Sequence, residues 1–213
     1  MKRVPARMFG PQFTCEAVTS AGNLAPCISL EAAQINGIAD APRHARAFHD
    51  QYIPELQLEL TRRRAEVAAL PGVLDTFSLI RQRLAQRGDV ELGLLTGNYT
   101  QAVPLKLEAV GVDPAWFTVT AFGDEGATRP HLVEVAMRKF SAMTGSHTPA
   151  KRVVVIGDTP RDVHCAKVHG CIAFAVATGG HSVDELKESG ADVTVRDLSD
   201  PQPLVTLIDS LAS

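Results

Sequence analysis

No apolar run in this 213-residue chain approaches the roughly 20 residues that a membrane-spanning helix requires. The basic opening, Met1-Lys-Arg-Val-Pro-Ala-Arg7, is not followed by the apolar segment of a secretory leader, and Glu16 argues against a transit peptide. The four cysteines, Cys15, Cys27, Cys165 and Cys171, include no C-x-x-C pair, which removes the usual signature of structural zinc. Reduced thiols in a cytoplasmic protein are the expectation. His164, Cys165, His169 and Cys171 do crowd one segment, but residues this close on one helix point in divergent directions. Neither G-x-G-x-x-G nor G-x-x-x-x-G-K-[ST] occurs, so the glycine-rich nucleotide loops are missing. Internal repeats and low-complexity tracts are missing too.

What is present is the balance of a globular protein. Hydrophobic residues make up 45% and charged residues 21%, enough for one well-buried core and a small accessory domain. The formal net charge is -3 with acids and bases interspersed, which argues against a nucleic-acid groove or a polybasic membrane patch.

Two textures divide the chain. Ser29 to Ile35 reads as a helix stopped by Asn36-Gly37, and a longer helical stretch runs from Pro42 to Val67. In it Phe48, Tyr52, Leu56 and Leu60 recur at helical spacing, with Pro54 expected to kink or divide the element. Arg62-Arg-Arg64 reads as a solvated helix end. From residue 71 strands and helices alternate: strands over Val90–Leu95, Phe117–Ala121, Val153–Ile156, Ile172–Val176 and Asp192–Val195. Helices fall between them, from Pro71-Gly72 to Arg87, Gln101 to Ala109, Arg129 to Met143, Pro160 to His169 and Val183 to Ser189, with a last one from about Pro201. Strands separated regularly by helices imply right-handed crossovers and a parallel sheet covered on both faces.

Ligands of open parallel sheets lie beyond the carboxyl ends of the strands. Two strand ends carry suitable chemistry: Leu92-Gly-Leu-Leu-Thr96-Gly97-Asn98 offers a hydroxyl, and Val153-Val-Val-Ile-Gly-Asp158-Thr-Pro-Arg-Asp162 offers two carboxylates. Thr159, Pro160 and Asp162 also make a good helix start, so Asp162 divides between capping and function. Asp158 has no such capping reason, because Thr159 already fills that place. Thr96 has a simpler reading as a turn hydroxyl, Arg129 as a solvated first-turn residue, and Gly179-Gly180 as an ordinary turn.

The order Leu-Leu-Thr96-Gly-Asn, then Arg129, then Gly-Asp158-Thr-Pro-Arg-Asp162 resembles the haloacid-dehalogenase-like (HAD) hydrolases, in their phosphoglycolate-phosphatase-like branch. The resemblance covers about residues 71 to 200, including the Ala177-Thr-Gly179-Gly180 loop. It implies an α/β fold, the HAD-like three-layer Rossmannoid parallel sheet with a small helical cap, here residues 1–69 as cap and 70–213 as core. It also implies a Mg²⁺-dependent phosphatase of a small phosphorylated metabolite working through an aspartyl-phosphate. Thr96 then holds phosphoryl oxygens together with Gly97, Asn98, Gly179 and Gly180, and Arg129 supplies the cation. Asp158 becomes a Mg²⁺ ligand, and Asp162 either a second ligand or the partner of the cation.

The chain departs from the pattern at two points, the first strand and the Ala21–Pro26 segment. The family's nucleophile sits in an Asp-x-Asp motif on the first strand, and no Asp-x-Asp occurs here. The first forty residues contain only Glu16, Glu31 and Asp40 as acids, none after an apolar strand. Arg7–Phe13 resembles the stretch that follows that motif, and Ala21–Pro26 stands where relatives carry a polar segment. In the family the first strand lies between the strands equivalent to Val90–Leu95 and Val153–Ile156. Without it a gap about 10 Å wide is expected. Either the natural protein is longer, or the two strands close up, or another segment fills the slot. Two functions follow: a phosphatase whose nucleophile lies outside this chain, or a non-catalytic relative that keeps the phosphate pocket.

Overall fold

The structure, a computed structural model, describes residues 23–212. Arg7–Phe13, Cys15, Glu16 and the opening of the Ala21–Pro26 segment lie outside the described residues. Among those described are helices α1 (Ala25–Ile35), α2 (Ala41–Arg62), α3 (Val73–Arg87), α4 (Ala102–Ala109), α5 (Arg129–Thr144), α6 (Pro160–Val168), α7 (Val183–Glu188) and α8 (Gln202–Ala212). The strands are β1 (Gly93–Leu95), β2 (Val119–Ala121), β3 (Val154–Gly157), β4 (Ile172–Val176) and β5 (Val193–Val195). None of these helices is long and apolar enough to cross a membrane.

The chain divides into two compact units, the first made of the described residues up to Ala68 with 96–114 and 122–124, the second of the remainder. In the first unit, α1 packs on α2 and α2 on α4. Its core gathers Phe48, Tyr52, Ile53 and Leu56 around Tyr99 and Ala102, with the Phe48 and Tyr52 rings stacked 5.8 Å apart. Of the two outcomes expected at Pro54, a kink or a division, division does not occur: α2 runs unbroken through it. Pro54 is exposed, so the backbone carbonyl it leaves unpaired can turn to water, while the apolar residues on either side of it hold the helix to its neighbours. Tyr99 donates or accepts at Ser29 Oγ, 2.8 Å away, which satisfies a buried phenol.

The second unit is the α/β part, and every strand pair in it is parallel. Residue alternation along β4 explains its two layers. Ala173 and Ala175 face one side, against Val133 of α5, Val163 and Ala166 of α6 and Leu186 of α7. Phe174 and Val176 face the other, against Ile80 of α3 and Leu204 of α8. Gly72 begins α3 at φ +76°, where a Cβ would sit 1.9 Å from the carbonyl carbon of Leu198, so only glycine fits.

The described strands form two sheets, β1–β2 and β3–β4–β5. The strands that flank the expected gap, β1 and β3, are therefore not hydrogen-bonded to each other, and closing up is not what the described backbone does. Ile156, on β3, is 45% exposed, unlike its buried neighbour Phe174 on β4.

Candidate phosphate and metal site

The signature carboxylates follow β3. Its last residue, Gly157, leads into a sharp turn and the start of α6, where Thr159 is the N-cap and Pro160 the first helical residue. Thr159 and Asp162 form a reciprocal capping box: Asp162 Oδ2 accepts from Thr159 N at 3.0 Å and Thr159 Oγ1 at 2.7 Å. The other oxygen, Oδ1, accepts from Arg129 Nε at 3.0 Å and from its Nη2. One carboxylate thus serves as cap and as partner of the cation. Gly157 is required for that arrangement, since a Cβ there would lie 2.3 Å from Asp162 Cγ.

Arg129 is the first residue of α5, behind the N-cap Thr128, whose hydroxyl accepts from His131 N. It is not a solvated first-turn side chain: 18% of it is exposed, and its fork is held by Asp162. A guanidinium fixed in this way keeps its charge and has donors left for a second anion.

Asp158 is different. It carries no side-chain hydrogen bond from another described residue, and its Oδ2 rests against Gly179, where a Cβ would come within 2.4 Å. Gly179 and Gly180 lie in the loop after β4, beyond Ala177 and Thr178, so the loop after β4 meets the turn after β3 at this carboxylate. Beside it lies a largely apolar hollow of about 180 Å³, walled by Leu70, Val73, Ile156, Val176 and Leu198. The apolar walls supply no oxygen ligands, so Asp158 is the carboxylate here that could hold a hard cation, with water and phosphate oxygens completing the shell. Among the described residues no group of three or more His, Cys, Asp and Glu forms a metal cage.

The hydroxyl end belongs to the first unit. Thr96 follows β1 without a break, and its Oγ1 accepts from Asn98 Nδ2 at 2.7 Å and from Asn98 N at 3.2 Å. Gly123 N donates to Asn98 O at 2.8 Å, and a Cβ on Gly123 would meet Gly97 O at 2.1 Å, so backbone packs on backbone to shape the turn. Thr100 is tied to Asp124 through its hydroxyl at 2.7 Å. The structure thus joins Arg129 with Asp162, Asp158 with Gly179, and Thr96 with Asn98. It also adds Lys106, whose Nζ donates to Asn98 Oδ1. Nothing in the sequence singles out Lys106, because the contact depends on how the turn after β1 folds back on α4.

This architecture, with acidic and hydroxyl-bearing turns after parallel strands, is that of the HAD-like hydrolases. Residues 125–201 match the family model described as HAD-hydrolase-like, and the described residues have the fold seen in solved structures of such hydrolases. It is similar to the pyrophosphatase PpaX of Oceanobacillus iheyensis, 26% identical over 149 residues, covering 68% of this chain and 63% of that protein. The chain therefore spans less than two thirds of that relative's length. A hydrolase from Pseudomonas syringae has a similar structure, with a TM-score of 0.65 at 18% identity, covering 91% of this chain and 81% of that one. CbbY from Rhodobacter sphaeroides, in complex with xylulose-(1,5)bisphosphate, superposes with a TM-score of 0.60 at 20% identity over 76% of this chain and 67% of its own.

Proposed function

We propose that this chain serves a HAD-type phosphatase, binding a small phosphomonoester in the presence of Mg²⁺. The single observation that carries the reading is Asp158: a carboxylate at the end of β3, without a side-chain partner among the described residues and seated against the Gly179 backbone. Mg²⁺ supplies charge neutralisation for the phosphoryl oxygens when bound.

The chain's own residues bind and orient. Arg129, held by Asp162, presents its remaining N–H groups to phosphoryl oxygens. Thr96 donates its hydroxyl hydrogen, because its lone pairs are taken by Asn98. The Gly97 and Gly179-Gly180 backbones approach a ligand closely because they carry no side chains. The attacking carboxylate of the family has no Asp-x-Asp counterpart in this sequence, so the roles assigned here are binding roles. That PpaX is a pyrophosphatase and CbbY binds a sugar bisphosphate supports a phosphorylated small molecule as ligand.

Calorimetric titration with orthophosphate, with and without Mg²⁺, tests this. Phosphate is expected to bind in the presence of Mg²⁺ and to lose about tenfold or more in affinity in Asp158→Asn and in Thr96→Ala, the loss from one charge-assisted hydrogen bond or ligand. Binding indifferent to both substitutions overturns the reading. A parallel assay of phosphomonoester turnover decides whether the chain acts alone.

A further inference from the structure

Lys106 stands on the second turn of α4, half-buried, with its ammonium on the side-chain carbonyl of Asn98. Among the described residues no carboxylate pairs with it. A lysine needed only for solubility would point to water and keep its hydration. Here the ammonium gives up part of its hydration for a neutral amide, which offers no compensating charge. Burial accordingly pulls its pKa below the usual lysine value.

The consequence lies in the order of donors. An ammonium only donates, so the Asn98 atom facing it is the oxygen, and the amide nitrogen must face the other way. That nitrogen donates to Thr96 Oγ1 at 2.7 Å, and the Asn98 backbone N–H takes the second lone pair at 3.2 Å. With both lone pairs occupied, the hydroxyl hydrogen has to point out of the Thr96–Asn98 turn. Were the Asn98 amide reversed, its oxygen would accept that hydrogen and Thr96 would have nothing to give an anion.

We propose that Lys106 is a positioning residue: through Asn98 it locks the Thr96 hydroxyl as a donor toward a bound phosphoryl group. This rests on the phosphate role given to Thr96 above. The ammonium need not touch the ligand. Its charge, lacking a carboxylate partner, also favours an anion arriving at the same turn.

The test is a double-mutant cycle read by orthophosphate titration in the presence of Mg²⁺, on wild type, Thr96→Ala, Lys106→Met and the double variant. Lys106→Met is expected to weaken phosphate by about tenfold in the wild-type background and by less than about twofold in the Thr96→Ala background, since its effect passes through that hydroxyl. Lys106→Arg, which still donates to Asn98 Oδ1, is expected to recover most of the affinity, and keeps the cycle readable if Lys106→Met does not fold. Equal losses in both backgrounds would mean that Lys106 acts as a plain attracting charge, and the inference falls. No loss in Lys106→Met, with Thr96→Ala still harmful, also overturns it while leaving the phosphate reading intact. Phosphate binding that ignores Thr96→Ala removes both.

Discussion

Replacing Asp162 with alanine probes the junction on which the α/β site is built. Asp162 is 5% exposed, and its side chain accepts from Thr159 N and Oγ1 on one oxygen and from the Arg129 fork on the other. Loss of the cap interaction costs about 1 kcal/mol. Removal of one partner of a buried ion pair costs about 3–5 kcal/mol, because the other charge stays behind uncompensated. Arg129 keeps 18% of its surface in water and can recover some hydration, so the two contributions together come to about 3–5 kcal/mol rather than their full sum. With a urea slope of about 2–3 kcal/mol per molar for a chain of this size, the unfolding midpoint should fall by about 1–2 M. Circular dichroism at 222 nm follows it. In the double variant Arg129→Met/Asp162→Ala the stranded charge is gone, and about 1–2 kcal/mol of the loss should return. A midpoint change under about 0.3 M for Asp162→Ala, or a double variant no more stable than the single one, would refute the account of this carboxylate as cap and counter-ion together.

Two further outcomes follow from local geometry. Gly179→Ala would place a Cβ 2.4 Å from Asp158 Oδ2, so the carboxylate must move; stability should stay within about 0.5 kcal/mol at this exposed position, while Mg²⁺-dependent phosphate affinity falls about tenfold. Unchanged phosphate affinity would show that the placing of Asp158 is immaterial. Burial pushes the Cys165 thiol up to about 11, and burial raises Cys171 as well, whereas Cys27 is only partly covered. In a Cys15→Ser background at pH 8, a disulfide reagent should modify Cys27 quickly and the other two only after denaturant is added. Because the folded state retains the Cys165 proton beyond the range of a free thiol, its stabilising effect is complete below that range and declines as pH rises toward about 11. Quick modification of Cys165 or Cys171 in the native protein would contradict it.

The strands and helices of the α/β part were legible because each rests on local signals. Ile172–Val176 is an apolar run closed by glycines, and Thr159-Pro160 fixes the start of α6 by cap chemistry that operates within three residues. Strand ends were less sharp: Val90 to Leu95 reads as one strand, yet only Gly93–Leu95 pairs with β2, since pairing needs a partner the local pattern does not name. Pro54 leaves α2 undivided because one missing N–H and one exposed carbonyl cost less than the packing of Tyr52, Ile53 and Leu56 on either side returns. Asp162 divided between cap and function as long as a carboxylate was treated as one acceptor; its two oxygens do separate work. The Lys106 contact was invisible, as it joins a helix to a turn eight positions away through an amide orientation that only coordinates reveal.

The alternation along β4 has a bearing on how this protein can change. With alanines on one side, α5, α6 and α7 are drawn close to the strand, and an added methylene at Ala173 or Ala175 has nowhere to go. The opposite side is layered with Phe174, Val176, Leu204 and Ile208, large flexible volumes that can exchange bulk among themselves. Sequence drift should therefore collect beneath α3 and α8, leaving the tight side, from which Arg129 and Asp162 project, almost fixed.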